Sequence, residues 1–236
     1  DVLDGMLRAL DEAERGFAGL VIWQTKEPFS FGANLATLAP AVQSGRWDTV
    51  EAAVARFQQT SLRLRYSLIP TVAAVRGMAL GGSCEFIMHC DRAVAALESY
   101  VGLVEAGVGL LPGGGGTKEF AVRAADAVKQ GPTGGQADHF PFLRASFQTI
   151  AMATVAKSAL EAKALGFLKD ADFVVTHPHE ILHVAVGQAR AMAATAPGGF
   201  DPPGMRCAVW PREAISSAAE RPDAPITTPC PRERKA

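Results

Sequence analysis

The sequence predicts an α/β fold, and three features of its 236 residues carry that expectation. Short runs rich in alanine and β-branched residues, such as Gly19-Leu20-Val21-Ile22-Trp23 and Thr71-Val72-Ala73-Ala74-Val75, have the length and apolarity of buried strands. In the middle of the chain glycine turns follow such runs, and stretches with apolar residues at helical spacing fill the intervals. The length suits one sizeable domain, or a domain with a small appendage, with a substantial core.

Ala18 to Trp23 reads as a buried strand delivering a loop, Phe29-Ser30-Phe31-Gly32-Ala33-Asn34-Leu35, which then enters a helix. Trp47 to Tyr66 places Val50, Val54, Phe57 and Leu64 close to helical spacing, and Asp48 followed by Glu51 resembles a capping box. Pro70 ends that helix and Thr71 to Val75 is the next strand. Gly77 and Gly81-Gly82 turn the chain into a helix from about Ser83 to His89, and Arg92 to Ala96 is a further strand. Ala127 to Pro141 reads as an exposed loop; helix resumes from Phe142 to Val155. Ser158 with Glu161 makes a second capping box, and Gly166 closes the turn after it. Asp172 to Thr176 is a strand, and Pro178 to about Ala196 is a helix with Ile181, Leu182, Ala185, Val186, Ala189 and Met192 on one side.

Residues 1–199 therefore form the expected domain, its helical part starting near 142. Residues 200–236 carry Pro202, Pro203, Pro211, Pro222, Pro225, Pro229 and Pro231, several arginines and few large apolar side chains. Such a tail buries too little to offset its ordering entropy, so disorder or weak docking is expected.

The formal net charge of -1 gives no electrostatic case for nucleic acid or an anionic membrane surface. Charged residues interrupt every apolar stretch well before the ~20 residues a bilayer span needs. Asp1 to Met6 shows neither a basic start nor an apolar signal core, so a cytoplasmic location is the expectation. Cys84, Cys90, Cys207 and Cys230 form no C-x-x-C pair, which excludes the usual zinc spacing and suits a reduced compartment. The five histidines have no consistent ligand spacing and read as core or surface residues; Trp23 and Trp47 read as core or pocket wall.

The sharpest signal is a pair of glycine-rich stretches, each holding one glutamate among apolar residues: Ala79-Leu80-Gly81-Gly82-Ser83-Cys84-Glu85, and Val104-Glu105-Ala106 running on to Pro112-Gly113-Gly114-Gly115-Gly116-Thr117-Lys118. An ionised carboxylate is costly to bury without partners, so this pattern, repeated, points to acid/base chemistry. Nucleotide loops do not fit: a phosphate loop ends Gly-Lys-Ser/Thr where this chain has Gly116-Thr117-Lys118, and Gly107-Val108-Gly109 lacks the third glycine of a dinucleotide fingerprint. A helix starting after Gly82 would instead aim its N–H groups at a ligand. With Ala33 from the earlier loop, two such groups could polarise one carbonyl oxygen as an oxyanion hole.

These segments, with Val72 to Gly77 and Phe29 to Leu35, resemble the enoyl-CoA hydratase/isomerase (crotonase) superfamily over roughly Gly19 to Val186. Within it the pattern is most similar to the hydratase portion of bacterial multifunctional proteins that also carry a 3-hydroxyacyl-CoA dehydrogenase. The resemblance implies a crotonase (ClpP-like) spiral of strand-strand-helix units with a C-terminal helical segment. It also implies a first strand ahead of a helix at Val2 to Arg15; that strand is not found, and the chain is expected to be a fragment.

By the same resemblance, Ala33 and Gly82 would donate N–H groups to a thioester oxygen, Glu85 and Glu105 would be the catalytic carboxylates, and Gly113 would help seat the water. Phe29, Phe31 and Leu35 fall in the segment lining the adenine end of coenzyme A. Ser83 stands where a third glycine is usual, Asn34 where aspartate is common, and Phe31 is bulkier than the family's residue. The implied reaction is syn addition of water to trans-2-enoyl-CoA in fatty-acid β-oxidation. Coenzyme A would enter as part of the substrate, without metal or redox cofactor, in a homotrimer or beside a dehydrogenase domain. Isomerisation of the double bond, another acyl-CoA reaction, and a catalytically silent acyl-CoA-binding or assembly module are the alternatives.

Overall fold

The computed structural model describes residues 2–131, 138–195 and 207–211. In chain order the elements are α1 (Val2–Gly16), β1 (Gly19–Trp23), α2 (Ala39–Gln43), α3 (Trp47–Arg65), β2 (Thr71–Val75), β3 (Met78–Leu80), α4 (Gly82–His89), β4 (Arg92–Ala96), β5 (Tyr100–Gly102), α5 (Gly116–Gln130), α6 (Phe140–Ala151), β6 (Val155–Ala156), α7 (Ala159–Ala164), β7 (Phe173–Val175), α8 (Ile181–Thr195) and β8 (Cys207–Pro211).

The larger sheet has five strands in the order β7-β4-β2-β1-β8, every neighbouring pair parallel. Its strands are apolar on both faces because both are covered. Leu20, Ile22, Ala73, Val75, Ala93 and Ala95 face one core with Leu10 and Ile87, whereas Val21, Val72, Ala74, Val94 and Ala96 pack on Ile181, Ala185 and Ala189 of α8. The alternation follows the two-residue period of a strand.

A second sheet, β3-β5-β6, is small, with β3 and β5 parallel. Each unit of the chain contributes one strand to each sheet before a helix begins: β2 and β3 precede α4, and β4 and β5 precede α5. The first unit does the same in reduced form, since Ser30 bridges Ala79 in parallel fashion after β1. This is the expected spiral of strand-strand-helix units.

The units are held in register by a few polar links. Asp91 Oδ2 accepts from Thr71 N–H at 2.8 Å and from its hydroxyl at 3.0 Å, tying the start of β2 to that of β4. Asp172 Oδ1 accepts from Ala93 N–H at 2.8 Å and does the same for β7 and β4. Between α1 and α3, Arg56 pairs with Asp4, and Arg63 with Asp11 and Glu14. Cys84 and Cys90 are free and buried, as small apolar residues would be.

Several boundaries differ from the sequence reading. The capping box at Asp48 is absent: α3 starts at Trp47 after Arg46, so Asp48 lies inside the first turn and complements the helix dipole instead. Trp47 itself is exposed. At α7, Ser158 does cap, accepting from Glu161 N–H at 3.1 Å, but the Glu161 carboxylate reaches Lys157 N–H rather than that of Ser158. Helix α5 continues to Gln130, and α6 already begins at Phe140, which shortens the expected loop from both sides; residues 132–137 lie outside the described ones. In the expected tail, Cys207–Pro211 forms β8 along the outer edge of β1; the remainder of 200–236 lies outside the described residues.

Candidate active site

Strand register brings the site together. Ser30 lies beside Ala79, and Ala79 beside Val101, in parallel segments. Three or four residues further along the same segments lie Ala33, Gly82 and Glu105, so three distant parts of the sequence emerge at one end of the small sheet. Hydrogen bonds fix the junction: Ser30 N–H donates to Met78 O, Leu80 N–H to Ser30 O, each at 3.0 Å, and Gly81 N–H to Gly102 O at 2.8 Å. A Cβ on Gly32 would stand 3.1 Å from Gly82 N, which measures how closely the first loop approaches the start of α4.

Ser83, standing where a third glycine is usual, strengthens this junction. Its hydroxyl lies 2.9 Å from Ser30 O and 2.8 Å from Leu80 O and donates into that pair. The Gly82 N–H belongs to the first turn of α4 and, like that of Ala33, makes no hydrogen bond among the described residues. Ala33 is exposed, whereas Gly82 is buried.

Glu85 occupies the first turn of α4 and is only 2 % exposed. Its Oε1 accepts from Gly116 N–H at 2.8 Å and its Oε2 from Gly114 N–H at 3.1 Å. Burial pushes its pKa up to about 7; the Gly116 N–H opposes that rise and the charge of Glu105 adds to it. At neutral pH this carboxyl is poised to take or give a proton.

Glu105 opens the turn after β5 and leans over Gly81, where a Cβ would lie 3.2 Å from Oε1; Gly81 also has φ +55°. Burial raises the Glu105 pKa as well. Its Oε2 is buried with no hydrogen-bond partner among the described residues.

Gly113 is exposed, and its carbonyl accepts from Gln58 Nε2 at 2.8 Å, whereas Gly114 and Gly116 supply the N–H groups that hold Glu85. Four consecutive glycines conceal which amide points where, so the sequence could not single these two out.

Phe29, Phe31 and Leu35 do not act as one surface. Phe29 is buried in the core and its N–H donates to Arg76 O at 3.0 Å, while Phe31 and Leu35 are exposed on the loop that carries Ala33. Phe57 of α3, not anticipated as a site residue, stacks on Phe86 with ring centroids 4.5 Å apart. Its ring reaches 2.6 Å from the position of a Cβ on Gly82 and 2.3 Å from one on Gly114, wedging between the two glycine turns. Among the described residues no cluster of three His, Cys, Asp or Glu side chains could hold a metal, and no helix is long and apolar enough to cross a membrane.

The strand-strand-helix spiral thus carries two carboxyl groups of raised pKa and the N–H groups of Ala33 and Gly82 at the exits of neighbouring strand segments. The sequence profile of the enoyl-CoA hydratase/isomerase family matches residues 1–129, more than half of the chain, and the chain belongs to that family. It is 38% identical over 205 residues to a Bacillus subtilis protein named "Probable 3-hydroxyacyl-CoA dehydrogenase", covering 86% of this chain and 24% of that one. A fatty acid oxidation complex subunit alpha from Colwellia psychrerythraea is 53% identical over 49 residues, 21% of this chain and 7% of the relative. The chain thus spans about a quarter or less of these relatives. Among solved structures, an enoyl-CoA hydratase from Bacillus anthracis superposes with a TM-score of 0.62 at 25% identity, covering 83% of this chain and 67% of that one.

Proposed function

We propose that this chain adds water across the double bond of a trans-2-enoyl-CoA to give a 3-hydroxyacyl-CoA. The observation that carries this reading is the pairing of Glu85 with Glu105, two buried-side carboxyl groups of raised pKa, at the exits of adjacent parallel strands.

The thioester oxygen sits between the N–H groups of Ala33 and Gly82. As water attacks the β-carbon, negative charge moves onto that oxygen, and each donor of this kind is worth ~3–4 kcal/mol of barrier. Glu85, in its ionised form, removes a proton from the attacking water. Glu105, whose pKa burial raises, delivers a proton to the α-carbon when it carries one; both groups lie on one side of the substrate, so addition is syn. The water is shared between them, with the Gly113 turn forming its floor. Coenzyme A enters as part of the substrate, and the exposed Phe31 and Leu35 border the path of its adenine end. The chemistry calls for no metal or redox group.

Relatives named for 3-hydroxyacyl-CoA dehydrogenase and fatty acid oxidation fit this reading, because a dehydrogenase consumes the 3-hydroxyacyl product. The proposed setting is therefore β-oxidation in the cytoplasm, beside a dehydrogenase domain or in a homotrimer. The test is loss of enoyl-thioester ultraviolet absorbance with crotonyl-CoA, run beside Glu85→Gln and Glu105→Gln. Turnover abolished by both substitutions supports hydration. Conversion of a 3-enoyl-CoA without hydration would favour isomerisation, and binding without turnover a silent acyl-CoA-binding module.

A further inference from the structure

At the C-terminal end of α4 lies a polar cluster that the proposed reaction does not use. His89 sits one turn after Glu85 on α4 and is 1 % exposed. Its Nδ1 lies 2.6 Å from Glu85 O, and its Nε2 lies 3.0 Å from Lys118 Nζ at the start of α5. A carbonyl can only accept and an ammonium can only donate, so Nδ1 carries the proton and Nε2 offers its lone pair. That neutral tautomer agrees with burial, which lowers the His89 pKa despite the nearby Glu119 charge.

The cluster is closed on its outer side by charge pairs. Glu119, also 1 % exposed, lies 3.0 Å from Lys118 Nζ, 3.2 Å from Arg65 NH1 and 3.6 Å from His89 Nε2. It therefore joins α5 to α3 as well as to α4. The imidazole also packs directly beneath the glycine run: a Cβ on Gly115, whose φ is +114°, would stand 2.8 Å from His89 Cε1 and 2.9 Å from Nε2. The residues on either side of Gly115 are the two whose N–H groups hold the Glu85 carboxylate.

We propose that His89 is a positioning residue that fastens the Gly114–Gly116 turn over the Glu85 helix, through its ring beneath Gly115 and the hydrogen bond it accepts from Lys118. One imidazole thereby fixes both partners of the carboxylate contact: the helix that carries Glu85, by its own backbone carbonyl, and the turn that receives it. Directional hydrogen bonds from one buried ring to two elements specify their arrangement more sharply than apolar packing does. A leucine would fill the space but link nothing.

The functional part of this inference rests on the reading of Glu85 as the base; the tether itself is a property of the folded chain and is tested without substrate. The experiment is amide hydrogen exchange on the whole chain, comparing the native protein with His89→Leu, His89→Gln and Lys118→Met. In His89→Leu, exchange at Gly114 and Gly116 is expected to quicken roughly tenfold relative to the amides of Thr71–Val75. His89→Gln, whose amide oxygen again accepts from Lys118, restores most of that protection. Lys118→Met, at a partly exposed position, reproduces the loosening even if His89→Leu fails to fold. With crotonyl-CoA, His89→Leu lowers kcat while KM changes little, and the glutamine variant recovers kcat. Unaltered protection at Gly114 and Gly116 in His89→Leu and Lys118→Met would overturn the proposal, as would a loss shared evenly with the Thr71–Val75 amides. A native protein without turnover, but with selective loosening in the variants, would sink the hydratase reading and leave the tether standing.

Discussion

The Glu85 carboxylate and the Gly116 N–H meet at 2.8 Å across two helix N-termini, one carrying the acid and the other supplying the donor. α4 follows β3 directly, whereas α5 is reached from β5 through residues 103–115. The space around it is full: a Cβ on Gly114 would stand 2.3 Å from Phe57 and 2.4 Å from Glu85 Oε2. Gly114→Ala is therefore expected to displace the turn, lower kcat at least ~10-fold through misplacement of the carboxylate, and destabilise the fold by about 1–3 kcal/mol. Steady-state kinetics with crotonyl-CoA and chemical denaturation would check both.

Titration of Glu85 ties stability to pH in a direction opposite to that of a salt-bridged carboxylate. Its pKa rises from 4.5 to about 7 on folding, so the folded chain retains a proton that the unfolded chain has released. The stability this gives is complete below pH 4.5 and is lost as pH rises through about 7. Glu85→Gln removes the titration. Relative to the native protein it is expected to gain stability as pH climbs through that window, by up to about 3 kcal/mol from the size of the shift. Denaturant melts at pH 5 and pH 8 measure the difference; an equal offset at both pH values would contradict it.

The parts of this molecule that the sequence reveals are those with a strong local signal. Gly19–Trp23, Thr71–Val75 and Arg92–Ala96 are legible as strands because a sheet covered on both faces demands unbroken apolar runs. Met78–Leu80 and Tyr100–Gly102 are not, since three residues are too few to display a two-residue period next to glycines that read as turns. Yet these two short strands align Gly82 with Glu105. Glu85 and Glu105 stand out as charges in apolar company. The partners of Glu85 are hidden because glycine N–H groups leave no side-chain signature, and Phe57 and His89 are hidden because an aromatic or a histidine on a helix usually belongs to the core.

Glu105 has a buried oxygen with no hydrogen-bond partner among the described residues, and burial raises its pKa. Glu105→Gln keeps the shape and removes the proton to be donated, so kcat with crotonyl-CoA is expected to fall by a factor of about 10²–10⁴. Binding of the saturated analogue butyryl-CoA is expected to change little, because in the proposed mechanism the thioester oxygen is held by Ala33 and Gly82 and not by Glu105. In the native enzyme, kcat/KM falls as pH drops below about 7, where Glu85 takes up its proton and ceases to be a base. The acid limb should persist in any residual activity of Glu105→Gln and vanish in Glu85→Gln.

If the acyl chain of the proposed substrate runs along α3, Phe57 stands in its way. Its ring is stacked on Phe86 at an interplanar angle of 6° and is wedged against both Gly82 and Gly114, so the volume next to Glu85 is bounded by an aromatic face. A substrate with a short tail reaches the carboxylates beside that ring, whereas a longer tail collides with it unless α3 yields. Phe57→Ala opens the wall and leaves the N–H donors and both glutamates in place. It is expected to raise the ratio of kcat/KM for octenoyl-CoA over crotonyl-CoA by roughly 10-fold or more, the scale on which a few methylenes are discriminated in an apolar pocket. A competition assay with the two thioesters reads that ratio directly. An unchanged ratio would place the acyl chain on a different path, away from α3.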